Sequence, residues 1–234
     1  MGLDKKGALA VDETRLSGNH PAWVWMRGQL ADRRALMRPP SGRLVCHLAG
    51  LDLAPATVGA PISILEWLGG LSEAGWRQDL AQQASRLAEG GLLMLADWGP
   101  TSLQALAARL GPELSRQSGL ANWRAQRVDM HDLGDGLVAA GLAEPVMESE
   151  TLVLTYKAPD RLVDDLLALG VLGATGAGGP GGPELRQALR AALTDQSGLS
   201  LSFEAVFGHA WRVPGRKPKR DPGDPMPLEF RRRT

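Results

Sequence analysis

The chain of 234 residues has a single cysteine, Cys46. That excludes an internal disulfide framework and any cysteine-based zinc site, and it fits a reducing, cytoplasmic setting. Net charge is also missing. The 26 basic and 26 acidic side chains cancel, so nothing steers the whole chain toward nucleic acid or an anionic membrane surface. No apolar run approaches the roughly 20 residues that cross a bilayer. The start, Met1-Gly2-Leu3-Asp4-Lys5-Lys6, leads to Asp12 and Glu13 instead of the apolar stretch of a secretory signal. His20 and His47 have no companion at metal-ligand spacing, so no metal site is expected. Residues 1–70 also lack an acidic-Gly-x-Gly-x-Gly turn; the nearest sequences are His47-Leu48-Ala49-Gly50 and Trp67-Leu68-Gly69-Gly70.

What the chain does contain is an alternation of strand and helix patterns. Residues 1–20 are polar and read as a loose leader. A helix is predicted from Pro21, with Trp23, Met26, Leu30, Leu36 and Met37 roughly on one side and Pro39-Pro40 as its stop. Arg43 to Leu51 reads as a short strand, and Pro61 to Leu68 as a second strand or a helix start. Ser72 to Ala88 keeps helical spacing through Trp76, Leu80, Ala84 and Leu87, with Gly90-Gly91 as the stop. Leu92 to Asp97 is an apolar run ending at Gly99-Pro100, the pattern of a strand buried on both faces. Thr101 is expected to cap the next helix, and 111–127 to be irregular. His131 or Asp132 would cap a helix to Ala140, followed by strand patterns at Val146 to Glu148 and Thr151 to Tyr156. Asp160 would cap a helix closed by Gly170, 173–183 is a glycine-rich flexible loop, and Glu184 to Leu193 is a helix. Leu199 to Val206 suits an antiparallel edge or end strand. Together these elements predict an α/β domain over 21–213, with helices packed on a mostly parallel sheet.

The tail, 214–234, carries Pro214, Pro218, Pro222, Pro225 and Pro227 and is expected to be disordered. From Arg212 to Thr234 there are eight Lys or Arg and three acids, a local surplus of five. Such a tail is either a solvated, solubilising end or a docking strip for an acidic partner. Cys46, in an apolar strand, reads as an inert thiol. His209 and Trp211 read as core packing. Trp23 and Trp25 would cover an open face or mark a partner site.

Three segments carry a family resemblance. Arg86 to Gly91 through Gly99-Pro100-Thr101-Ser102-Leu103 is a helix leading into a Gly-Gly strand and a Gly-Pro break. Asp129-Met130-His131-Asp132 is followed by Gly134-Asp135 and then Pro145-Val146-Met147, and the ordered part closes on Gly208-His209-Ala210-Trp211. In these segments the chain resembles the malonyl-acyl-carrier-protein O-methyltransferases of biotin synthesis, over roughly Pro61 to Trp211. The resemblance implies a Rossmann-like class I methyltransferase sheet with helices on both faces, S-adenosylmethionine as cofactor, no metal, and an acyl carrier protein as partner. The front is too short for all the strand-helix units that such a fold places before Pro61, at roughly 30 residues per βαβ unit. Leu44 to Asp52 would stand for the third strand, with Asp52 near the adenine, or for a degenerate first strand; the former is preferred. On this basis Asp52 and Trp76 are the expected cofactor contacts, and His131 and Arg127 the expected donors to the substrate carboxylate. The alternative role for Asp129, His131 and Asp132 is a helix-capping cluster. Two functions follow: an S-adenosylmethionine-dependent methyltransferase with a divergent cofactor site, or a non-catalytic relative that binds a carrier protein, another partner or an intact methyltransferase chain.

Overall fold

The computed structural model describes residues 8–10, 20–39, 41–48, 62–71, 75–172, 183–194 and 199–215. Within these, six strands form one sheet: β1 (Ala8–Ala10), β2 (Leu44–Leu48), β3 (Ile62–Leu68), β4 (Leu87–Trp98), β5 (Ala143–Tyr156) and β6 (Leu199–Trp211). Seven helices accompany it: α1 (Pro21–Met37), α2 (Trp76–Ser85), α3 (Gln104–Gln117), α4 (Leu120–Ala125), α5 (Met130–Ala139), α6 (Pro159–Ala168) and α7 (Pro183–Leu193). The strand order is β1-β5-β6-β4-β3-β2. Only β6 runs against its neighbours, pairing antiparallel with β4 and β5; every other pairing is parallel.

Burial on both faces explains the sequence of β4. Leu92, Met94, Ala96 and Trp98 enter a core shared with α1, α3, α4, α6 and α7, whereas Leu93 and Leu95 enter a second core with α2 and α5. A strand covered on both sides reads as a continuous apolar run because neither set of alternating side chains meets water. The expected α/β, Rossmann-like arrangement with helices on both faces is present. Trp23 and Trp25 serve it from α1, Trp23 against Trp98 at 5.4 Å between ring centroids and Trp25 against Phe207 at 6.0 Å.

Several expectations change. The last strand is not at an edge: β6 inserts between β4 and β5, and its inner positions Phe203, Ala205, Val206 and Phe207 are buried. Residues 111–127 are largely helical, because Gly111 takes φ 72° ahead of Pro112 and lets α3 resume after a kink, with α4 following. Gly90-Gly91 stops no helix but lies inside β4, where the Gly90 N–H donates to the Arg212 carbonyl. Thr101 caps nothing; its hydroxyl donates to Glu204 on β6, and α3 starts after Leu103 in the left-handed region. Ala158, not Asp160, is the N-cap of α6, with Pro159 as its first residue. The two strand patterns 146–148 and 151–156 are one strand, β5, which slips register between Ala143 and Val146 around Pro145. Part of the leader, Ala8–Ala10, pairs with β5. The glycine-rich stretch 173–182, the tail beyond 215 and Asp52 lie outside the described residues.

The front alignment is corrected as well. β2 pairs directly with β3, in register from Leu44 with Ile64 to Leu48 with Leu68. In a doubly wound sheet the fourth strand lies beside the first, while the third lies two places further out. If β3 stands for the fourth strand, its direct partner β2 lies where the alternative, a first strand, would lie, and not where the preferred third strand would.

Helix α5 meets α2 through glycine. A Cβ added at Gly136 would stand 2.6 Å from two ring carbons of Trp76. Gly136→Val is therefore expected to destabilise the fold by about 1–3 kcal/mol through overpacking, read as a lowered urea midpoint with an unchanged slope.

Candidate functional site

Ligands of open α/β sheets sit outside the carboxyl ends of the parallel strands. Here the rim at that end is built by the Gly69-Gly70-Leu71 turn after β3, by Trp98 at the end of β4 with Gly99-Pro100 after it, and by the 127–132 segment leading into α5. Gly69 (φ 71°) and Gly70 (φ 75°) supply the left-handed backbone that the turn needs. The turn is anchored by the Gly69 N–H on the Ala96 carbonyl at 2.8 Å and by the Trp67 indole N–H on the Gly69 carbonyl at 2.7 Å.

One buried carboxylate ties these segments together. Asp97, at the end of β4 and only 3% exposed, accepts the Leu71 N–H at 2.9 Å through Oδ2 and the Trp98 N–H at 2.7 Å through Oδ1. The Arg127 guanidinium stands 3.6 Å from the same Oδ1, with both side chains nearly buried. Arg127 also donates from Nε to the Trp123 carbonyl at 3.0 Å and lies 4.3 Å over the Trp123 ring. The expected substrate donor Arg127 is thus turned inward as the counterion of Asp97, a group the sequence reading did not single out. The signal was available: an acid closing a run of buried apolar strand residues is costly unless paired.

His131 lies in the first turn of α5, exposed to solvent. Its backbone is fixed because Asp129, the N-cap, accepts the His131 N–H at 2.7 Å; neither His131 nor Asp132 is the cap. Asp132 stands 3.4 Å from Arg77, the second residue of α2, which brings the starts of α2 and α5 together at the rim. Trp76, the expected cofactor contact, leans its half-buried ring on Gly136 of α5 beneath the Arg77 guanidinium. The rim thus gathers His131 with Arg127 and brings Trp76 near them, and of these three only His131 is exposed.

Three further polar groups are structural. Cys46 sits 3.1 Å from Glu66, itself paired with Arg34 of α1, and burial foremost pushes the thiol up to about 12. That thiol is inert at neutral pH. His20, given no role from sequence, caps α1 by accepting the Ala22 N–H on Nδ1 at 3.2 Å and faces the buried Asp165 at 3.5 Å. The accepting nitrogen carries no proton, so in this geometry Nε2 bears the hydrogen that points toward Asp165. His209 is half-buried in β6, and burial holds its pKa below the ordinary value, with Glu148 opposing. A histidine whose folded pKa is depressed stabilises the fold above its unfolded value of roughly 6.5 and loses that contribution as pH falls. His209→Gln should therefore flatten the decline in stability between about pH 6.5 and 5, measured by urea unfolding at several pH values.

Among the described residues no group of three His, Cys, Asp or Glu is arranged to hold a metal, and no helix is long and apolar enough to cross a membrane.

No protein-family model matches the chain. Curated relatives do. The malonyl-[acyl-carrier protein] O-methyltransferase of Laribacter hongkongensis (strain HLHK9) is 36% identical over 200 residues, covering 80% of this chain and 62% of that one. That of Methylovorus sp. (strain MP688) is 30% identical over 208 residues, covering 87% and 64%. The chain thus spans a little under two thirds of the length of these relatives. Among solved structures, a Bacillus halodurans C-125 protein superposes with a TM-score of 0.47 at 12% identity, over 79% of this chain and 98% of that one.

Proposed function

We propose that this chain, which is related in sequence to the malonyl-[acyl-carrier protein] O-methyltransferases, handles the acceptor side of that reaction: it holds a carrier-bound malonyl carboxylate at the rim of β3, β4 and α5. S-adenosylmethionine is the methyl donor in this reading, and the partner is an acidic acyl carrier protein. The observation that supports it best is the placement of Asp129-Met130-His131-Asp132. The motif forms the first turn of α5 at the carboxyl end of the parallel strands, with the His131 side chain outward and its backbone pinned by Asp129.

The chemistry asks little of the protein beyond placement. A malonyl carboxylate, with a pKa of about 4, is already anionic at neutral pH, so no strong base is needed to make it a nucleophile. When bound, S-adenosylmethionine would supply an electrophilic methyl group, and the part of this chain would be to hold the carboxylate oxygen in line with it. Holding the two partners in line supplies up to roughly 7–11 kcal/mol in favourable cases. His131 is the donor that would orient the carboxylate. The start of α5 adds its dipole, which favours a negative group there.

A second reading is favoured by one observation. Residues 1–70 contain no acidic-Gly-x-Gly-x-Gly turn, and β2 stands directly beside β3 in the first-strand place. With a reduced cofactor half, the chain would bind the loaded carrier protein without catalysis, or complete a site together with an intact methyltransferase. Two measurements separate the readings. Calorimetry with S-adenosylhomocysteine and transfer of labelled methyl to malonyl-carrier protein give micromolar binding and turnover under the first. Under the second, malonyl-carrier protein binds without either.

A further inference from the structure

Catalytic geometry at a sheet end depends on how its loops are held, and here three rim segments meet on a single carboxylate. Asp97 is buried, sits one residue before the end of the central strand β4, and has no role in solubility or surface charge. Its two oxygens point in different directions. Oδ2 takes the N–H of Leu71, the residue that closes the Gly69-Gly70 turn and is itself fully buried. Oδ1 takes the Trp98 N–H and faces Arg127. From Arg127 the backbone runs through Val128 and the cap Asp129 to the His131 N–H. Two loops joined to nothing else in sequence, 69–71 and 127–131, are therefore referenced to the same two oxygen atoms.

We propose that Asp97 is the positioning residue of this site, fixing the Gly69-Gly70-Leu71 turn and, through Arg127, the segment that presents His131. The inference rests on the acceptor-side reading for what His131 does, but not for what Asp97 holds. A neutral hydroxyl at this position would accept one backbone N–H, give up the other, and place no negative charge beside the guanidinium. A carboxylate is the side chain with enough acceptor sites and the charge to balance a nearly buried arginine. Asp97 touches no substrate in this scheme. It acts by setting where the two loops stand.

The test compares amide hydrogen exchange in the full chain. In Asp97→Ala the Leu71 and His131 amides should both exchange at least about tenfold faster, while Leu152 and Leu154 in β5 keep their protection. Asp97→Asn separates the two arms and serves if the alanine variant fails to fold. Its amide oxygen still accepts from Leu71, but its NH2 group must face Arg127, so His131 loosens while Leu71 is spared. Leu193→Ala, a core change on α7 that makes no contact with Asp97 or Arg127 described above, is the control and should leave both amides as in the wild type. Wild-type protection at Leu71 and His131 in both Asp97 variants would overturn the proposal. The affinity for malonyl-carrier protein is measured alongside. A wild-type chain that fails to bind it sinks the acceptor-side reading, while the exchange data still decide the role of Asp97. If the wild type binds, a drop of about tenfold in Asp97→Asn connects the two.

Discussion

Arg127→Ala is expected to lower folding stability by about 3–5 kcal/mol, the usual range when one partner of a buried ion pair is removed. The value sits high on the scale of single substitutions because the loss is not one contact. Asp97 remains only 3% exposed, with two backbone N–H donors but without the guanidinium that balances its charge. The Trp123 ring also loses the cation stacked 4.3 Å above it, and the Trp123 carbonyl loses a donor. Arg127→Met, which restores much of the packed volume, should recover little, since the positive charge beside the carboxylate is still missing. The double variant Arg127→Met with Asp97→Asn should recover part of the loss, because the charge that needed balancing is gone. Urea unfolding of the three variants checks this ordering. Equal losses in all three would mean that packing, not charge, dominates the pair.

The second large effect concerns chemistry. If the chain transfers methyl as proposed, His131→Ala should lower transfer to malonyl-carrier protein by roughly 100-fold, the loss that a misplacement of the reacting carboxylate by about 1 Å can cause. Stability should barely move, since the side chain is exposed and its helix is capped by Asp129 rather than by the imidazole. His20→Ala gives the opposite pattern. It removes the α1 cap and leaves Asp165 buried without its imidazole, costing stability while methyl transfer by the folded fraction is unchanged. A His131 variant that turns over like the wild type would remove this residue from the substrate.

The architecture was legible in the sequence wherever burial imposes a period. The unbroken run Leu92 to Ala96 announces a strand covered on two faces, and α1, α6 and α7 follow from apolar spacing and their breakers. Local patterns misled where a tertiary partner decided the outcome. Gly90-Gly91 has the composition of a helix stop, yet Arg212, the residue after β6, hydrogen-bonds to both glycines and they lie in strand. Thr101 has the chemistry of a cap, yet Glu204 on β6 takes its hydroxyl. The place of β6 between β4 and β5 involves residues more than 40 positions apart in the chain, and alternation alone carries no such information.

The site was half legible. Asp129 to Asp132 stands out as a motif, and the structure seats it at the rim where ligands of such sheets bind. What the motif could not reveal is which polar groups face inward. Arg127 lies next to the motif and reads as a substrate donor, but its direction is set by a carboxylate 30 residues earlier. Asp97 itself is inconspicuous in the sequence, a single acid after five apolar residues, and only the two loops converging on it reveal its importance.

The most direct measurement is an amide-shift titration of the labelled full chain with malonyl-loaded and with unloaded acyl carrier protein. The account predicts that the loaded carrier, and not the unloaded one, shifts Gly69 to Leu71 and Asp129 to Asp132, with His131 among the largest changes. Shifts from both carriers alike, or none at these residues, would contradict a malonyl carboxylate held at this rim.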